Sequence, residues 1–163
     1  MVPVTAEMNH CEYYLKILLL RYSDKFTYYF EIHEEVKDAV IFPFLIQVFV
    51  ENAAKHALTL ETVPLISVTV YPEDRSEEKY VNIYISDTGN GFPEETLQRL
   101  KAGKDISEHG KHIGIENCLK RFRYYYGDTG EIHFDNSPLG GAIVDIHIPY
   151  KTGGDEHETM ACG

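Results

Sequence analysis

Asp87-Thr88-Gly89-Asn90-Gly91 stands at the end of an alternating strand pattern, Tyr80 to Ser86, and the blocks on either side of it decide the fold. Roughly thirty residues earlier lies Glu51-Asn52 with Lys55-His56; roughly twenty residues later come Gly110 and Gly114. Alone, an Asp-x-Gly-x-Gly run is an ordinary strand-end turn, because Asp and Gly suit such positions for conformational reasons. Three ordered polar or glycine-rich blocks are harder to obtain by accident, and together they describe a nucleotide pocket.

Outward from these blocks the chain alternates helices and strands. Tyr14, Leu15, Leu18, Leu19 and Tyr22 recur at helical spacing, which predicts a helix from Thr5 to about Tyr22. Phe26 to Ile32 reads as a strand. Pro43 suits the first turn of a helix running to about Ala57. Leu65 to Tyr71 and Tyr80 to Ser86 alternate as half-buried strands do, with Pro72 to Glu78 as a polar connection. A short helix follows from Pro93 to about Lys101, then a polar loop, then a helix from Ile113 to Tyr126. Gly130 to Phe134 and Ala142 to Ile148 close the domain as strands. This order predicts an α+β fold: a two-layer sandwich with a mixed sheet and helices on one face. The sheet's other face would be partly solvated, which suits Asn82, Tyr84, Asp145 and His147.

One domain, 1–150, accommodates all of this, and 151–163 reads as a flexible tail. No apolar run approaches the roughly 20 residues of a membrane span. Cys11, Cys118 and Cys162 form a scattered odd set, best read as free thiols in a reducing compartment. The net charge of −11 argues against nucleic acid as a partner. A polyanionic nucleotide would then need local compensation: a metal ion, helix N-termini, and the lysines at 101, 104 and 111.

Each block also has a plainer reading. On the helix from Phe44 to Ala57, Gln47, Glu51, Asn52, Lys55 and His56 share the polar face, and most such faces are merely solvated. Asn, however, is a poor mid-helix residue, so Asn52 is better explained as a side-chain ligand, its neutral oxygen suiting Mg²⁺. Asp87 serves a turn, or accepts a hydrogen bond from the exocyclic amine of adenine while Gly89 and Gly91 let the backbone pass under the base. His109 to Gly114 is a flexible loop, or a helix entry whose free amides meet phosphate oxygens. Its histidines lack partnering cysteines, which argues against zinc.

Together, the blocks resemble the ATP-binding domain of sensor histidine kinases in the GHKL ATPase superfamily. Phe42 to Ala57 is similar to the N-box P-x-L-x-L-Q-x-L-V-E-N-A-x-K-H-G of one subgroup. Asp87 to Gly91 matches the D-x-G-x-G box. Gly110 to Asn117, with Arg121 and Tyr126-Gly127, matches G-x-x-I-G-L-x-N-x-x-x-R-L followed by Y-G; Gly140-Gly141 corresponds to a G-G-T turn. The resemblance implies ATP and Mg²⁺ held between the N-box helix and a mobile lid, Phe92 to His112. By it, Asn52 ligates Mg²⁺, Lys55 and His56 approach the phosphates, and Asp87 reads adenine. Gly89, Gly91, Gly110, Gly114 and Ile115 shape the pocket, Asn117 lies near the phosphates, and Glu51 positions the attacking group or a water.

Ala57 and Ala142 depart from the family's Gly and Thr. A phosphoacceptor helix of the H-F-L-x-N type is absent, so the chain is expected to be an excised catalytic domain that does not autophosphorylate alone. The resemblance implies a missing dimerisation and phosphoacceptor domain, a response regulator as partner, and a cytoplasmic position below a membrane-anchored sensor. The fragment itself would be monomeric. Two alternatives stay open here: a stand-alone serine kinase or ATPase, and a degenerate nucleotide-binding interaction module.

Overall fold

The computed structural model describes residues 1–76, 78–106 and 112–154. Strands β1 (Val2–Pro3), β2 (Thr27–Ile32), β3 (Val40–Ile41), β4 (Leu65–Arg75), β5 (Glu78–Asp87), β6 (Glu131–Asn136) and β7 (Ala142–Pro149) alternate with helices α1 (Val4–Arg21), α2 (Gln47–Ala57), α3 (Glu94–Lys101) and α4 (Ile113–Tyr126). Five strands form one mixed sheet in the order β2-β4-β5-β7-β6, with β2 and β4 parallel and the other pairs antiparallel.

The period-2 pattern of these strands fixes which side is buried. Ile66, Val68 and Val70 of β4, Val81, Ile83 and Ile85 of β5, and Val144, Ile146 and Ile148 of β7 are all buried. They pack in one apolar cluster with Cys11 and Leu15 of α1, Phe49, Val50 and Ala54 of α2, and Cys118, Leu119 and Phe122 of α4. Burying each such aliphatic side chain is worth about 2 kcal/mol, so this single layer of helices over the sheet dominates stability. The opposite face carries polar side chains: Asn82 Nδ2 donates to Asp145 Oδ1 at 2.8 Å, and His147 Nδ1 lies 2.6 Å from Glu73 Oε2.

Three local features differ from the sequence expectation. Pro43 does not open α2; residues 43–46 form a turn, Phe44 has φ 69°, and the helix begins at Gln47. The cause is Glu7 on α1. Its buried carboxylate accepts hydrogen bonds from the backbone N–H of Phe44 (2.9 Å), Ile46 (2.7 Å) and Gln47 (3.2 Å), satisfying the first amides of α2 from another helix. Burial pushes the Glu7 carboxyl above its ordinary range, and the amides of Gln47, Ile46 and Phe44 pull it back down.

The residues read as a polar connection after Tyr71 instead continue β4 and β5, through Arg75 and from Glu78. Beyond Val70, β4 has lost its partner β2 and is an edge, where Pro72 is tolerated although it lacks an N–H. Finally, β1 pairs with β3, and Val40 N–H donates to Lys151 O at 2.9 Å. Lys151 and Thr152, assigned by sequence to the tail, are therefore paired against Val40 and Ala39. The remainder of that tail, 155–163, lies outside the described residues.

Candidate nucleotide site

The site lies where α2 passes the end of β5. Strand β5 stops at Asp87 because the chain turns there: Gly89 N–H donates to Asp87 Oδ1 at 2.8 Å, and Ala142 N–H approaches the same oxygen at 3.4 Å. Asp87 Oδ2 has no hydrogen-bond partner among the described residues. Thr88 clamps the turn to β4, with Leu65 N–H donating to Thr88 Oγ1 at 2.9 Å and Thr88 N–H to Leu65 O at 3.0 Å. Gly91 has φ 76°, and a Cβ there would meet Asn136 Oδ1 at 2.6 Å. Asn136 in turn accepts from Phe92 N–H and donates to Phe92 O, both at 2.8 Å.

Asn52, His56, Asp87, Gly89, Gly91 and Ala142 line one cavity, together with Leu60, Phe92 and His112. Glu51, Asn52, Lys55, His56, Gly114 and Ile115 line an adjoining cleft of about 620 Å³. Asn52 borders both and makes no side-chain hydrogen bond among the described residues, although it sits in mid-helix and is half-buried. Helix α4 enters this cleft: His112 caps it with φ 60°, and Gly114 brings its first turn within 3.2 Å (from a hypothetical Cβ) of Val48 on α2. Cavity and cleft, joined at Asn52 and His56, thus form one path with a carboxylate oxygen and glycine backbone at one end. At the other it has an amide, a lysine, a histidine and a helix N-terminus, a division that suits a base and its phosphates.

Of the residues chosen from sequence, Asn117 lies along a neighbouring groove with Glu51, Gly114 and Arg121 rather than in either cavity. Gly110 falls outside the described residues. Lys101, offered as a phosphate partner, is ion-paired to Asp135 on β6 at 3.1 Å. The stretch read as a mobile lid begins with buried residues, Phe92, Leu97, Leu100 and Ile106. Sequence reasoning passed over Leu60, Asn136 and Glu116. Glu116 is buried on α4 and accepts from Ile106 N–H at 3.4 Å, tethering the start of the segment that precedes α4. A Glu in the first turn of a helix was the available signal; a distant Asn136 offered none.

Residues 38–152 match the family model of the histidine kinase-, DNA gyrase B- and HSP90-like ATPases. The chain belongs to this ATPase family. It is 32% identical over 151 residues to the sensor protein LytS of Staphylococcus haemolyticus, covering 93% of this chain and 25% of that protein. It is 28% identical over 156 residues to LytS of Bacillus anthracis, covering 96% of this chain and 26% of the relative. The chain therefore spans about a quarter of the length of the curated relatives it matches. Among solved structures, the catalytic domain of histidine kinase ThkA superposes with a TM-score of 0.66 at 18% identity, covering 93% of this chain and 96% of that one. ThkA solved with the response regulator TrrA gives 0.61 at 16%, over 92% and 41%. The ATPase-family fold expected from sequence, with its mixed sheet and one layer of helices, is thereby borne out. No helix among the described residues is long and apolar enough to cross a membrane.

Proposed function

We propose that this ATPase-family domain binds Mg²⁺-ATP and supplies the γ-phosphoryl group to a histidine on a dimerisation domain outside the chain, from which a response regulator receives it. The observation that carries the reading is one cavity bordered both by the Asn52 amide, which has no hydrogen-bond partner among the described residues, and by the half-engaged carboxylate of Asp87. Asp87 Oδ2 is an acceptor suited to the exocyclic amine of adenine, while Oδ1 is held by Gly89. Gly89 and Gly91 let this turn pack closely, since a Cβ would stand 3.0 Å from Asp87 Oδ1 at Gly89 and 2.6 Å from Asn136 Oδ1 at Gly91.

Asn52 offers a neutral oxygen, the kind of donor Mg²⁺ takes alongside waters and phosphate oxygens, so the donor set fits the ion. Bound there, Mg²⁺ would neutralise phosphate charge. Lys55 and His56 approach the same side, and the N-terminus of α4 presents free amides to anionic oxygens. Ile115 closes the cleft behind them. Glu51 would orient the acceptor. Because phosphoryl transfer depends chiefly on positioning and charge neutralisation, this set is chemically adequate. The domain would be monomeric, with the cell's cytoplasm as its compartment, and its folded unit would run past 150 to Thr152, which pairs against Ala39.

Titration with Mg²⁺-ATP tests the reading. The unmodified domain should bind; Asp87→Asn, which turns a donor toward the adenine amine, should weaken binding by about two orders of magnitude. Asn52→Ala should abolish the dependence on Mg²⁺. Absence of binding by the unmodified domain refutes the proposal.

A further inference from the structure

Along the outward side of α2, three side chains one turn apart form a ladder. Gln47 Nε2 donates to Glu51 Oε1 at 2.6 Å, and Lys55 Nζ stands 3.7 Å from Glu51 Oε2. Residues four apart on a helix lie one above another, so the two partners approach one carboxylate from opposite ends. A carboxylate only accepts, which requires the amide nitrogen of Gln47 to face it. Gln47 Oε1 is then buried with no hydrogen-bond partner among the described residues. A residue kept only for packing would not carry that burden, since Met fills similar space without a polar atom. The main chain of Gln47 is fixed too, its N–H donating to Glu7.

We propose that Gln47 is a positioning residue for phosphoryl transfer, holding Glu51 so that Oε2 addresses the acceptor. The torsion that turns a Glu carboxylate is broad and roughly two-fold, so without a fixed donor on Oε1 the group samples many orientations. With Gln47 in place, Oε1 is engaged, and Lys55, 69% exposed, stands beyond hydrogen-bond distance of Oε2. Oε2 is the oxygen left to work. In the transfer step the acceptor's lone pair forms a bond to the γ-phosphorus. The bond from that phosphorus to the β–γ bridging oxygen breaks, and its electron pair leaves with ADP. When water is the acceptor, its proton passes to Glu51 Oε2.

The inference rests on the ATP-dependent reading above. It is tested by steady-state ATP turnover, with water or added imidazole as acceptor, alongside Mg²⁺-ATP affinity and thermal unfolding. Gln47→Met should lower kcat about tenfold, the scale of modest misplacement of a catalytic group, and leave KM and nucleotide affinity within about twofold. Its unfolding midpoint should stay level or rise, because the buried unpartnered oxygen is gone. Gln47→Lys, which restores a donor one turn before Glu51, should recover most of the rate. In a Glu51→Gln background, Gln47→Met should add no further loss. An unchanged kcat in a Gln47→Met protein that binds Mg²⁺-ATP overturns the inference and leaves the ATP-dependent reading standing. So does a loss that is additive with Glu51→Gln, or one confined to KM. An unmodified domain that binds no Mg²⁺-ATP overturns both, and one that binds but turns over with neither acceptor overturns the inference alone.

Discussion

Gly141 lies directly against the main chain of Asp87: a Cβ on Gly141 would stand 1.7 Å from the Asp87 carbonyl oxygen, at a backbone φ of +98°. The turn before β7 and the Asp-x-Gly-x-Gly segment are therefore one packed unit, and Gly141 is required there on two independent grounds. Gly141→Ala should lower stability by more than the ~1 kcal/mol of a simple left-handed strain and should abolish nucleotide binding. Gly127→Ala, at φ +51° and ψ −127° with nothing within 4 Å, provides the control for backbone strain without a clash and should cost about 1–3 kcal/mol, less than Gly141→Ala. Equal unfolding midpoints for the two variants would refute the close-packing argument.

Glu7 joins α1 to the start of α2 by three amide hydrogen bonds. Glu7→Ala should destabilise the domain by about 2 kcal/mol, since buried donors lose their acceptor. The effect should depend on pH. The folded carboxyl pKa is raised by burial, so the folded state binds more protons than the unfolded chain between the two values. Stability from this group is fully present below the unfolded value and declines as pH rises through the folded one. The gap between unmodified protein and Glu7→Ala, measured by denaturant titration, should narrow from pH 4 to pH 7; a widening gap would contradict the raised value.

Asn136 holds Phe92 through both its N–H and its carbonyl oxygen. Asn136→Ala should speed hydrogen exchange at the Phe92 amide by about tenfold, the factor for loss of one net hydrogen bond of about 1.4 kcal/mol. Exchange in the centre of β5 should not change. Uniform acceleration across the sheet would mean that Asn136 supports the whole fold and not this segment.

Cys11 and Cys118 are buried, and burial pushes both thiols up to about 12, with Glu7 and Glu51 adding to the rise at Cys11. Only a thiolate alkylates readily, so neither should react with iodoacetamide at pH 8 in the folded protein, and both should react in urea. Because the unfolded thiols titrate near their ordinary 9.0, the folded state holds more protons between there and 12, and stability should fall as pH rises above about 9. Peptide mapping that finds either cysteine labelled in the native state would disprove the burial.

Much of this molecule was legible in the sequence because its strands alternate cleanly and its pocket residues come in short blocks. The pattern from Ala142 to Ile148 and the stripe Ile115, Cys118, Leu119, Phe122 gave both element and buried side. What was not legible depends on partners distant in sequence. The late start of α2 follows from Glu7, some forty residues away, and Pro43 alone argued the other way. The continuation of β4 past Pro72 depends on where β2 ends. Asn117, placed near the phosphates by its motif, lines a groove that shares Glu51 and Gly114 with the candidate cleft.

The short pairing around Val40 has a mechanical meaning. Pro3 pairs with Val40, which donates to Lys151, and Val4 N–H donates to Ala39 O. Both outer segments run antiparallel to the one between them, so they point the same way and the two chain ends leave in opposite directions. Two strand spacings, about 10 Å, separate them. Tension applied between the ends would therefore load these backbone hydrogen bonds in shear, all together, instead of peeling them one by one. The clasp so strained lies three residues before Pro43 and the turn that sets α2.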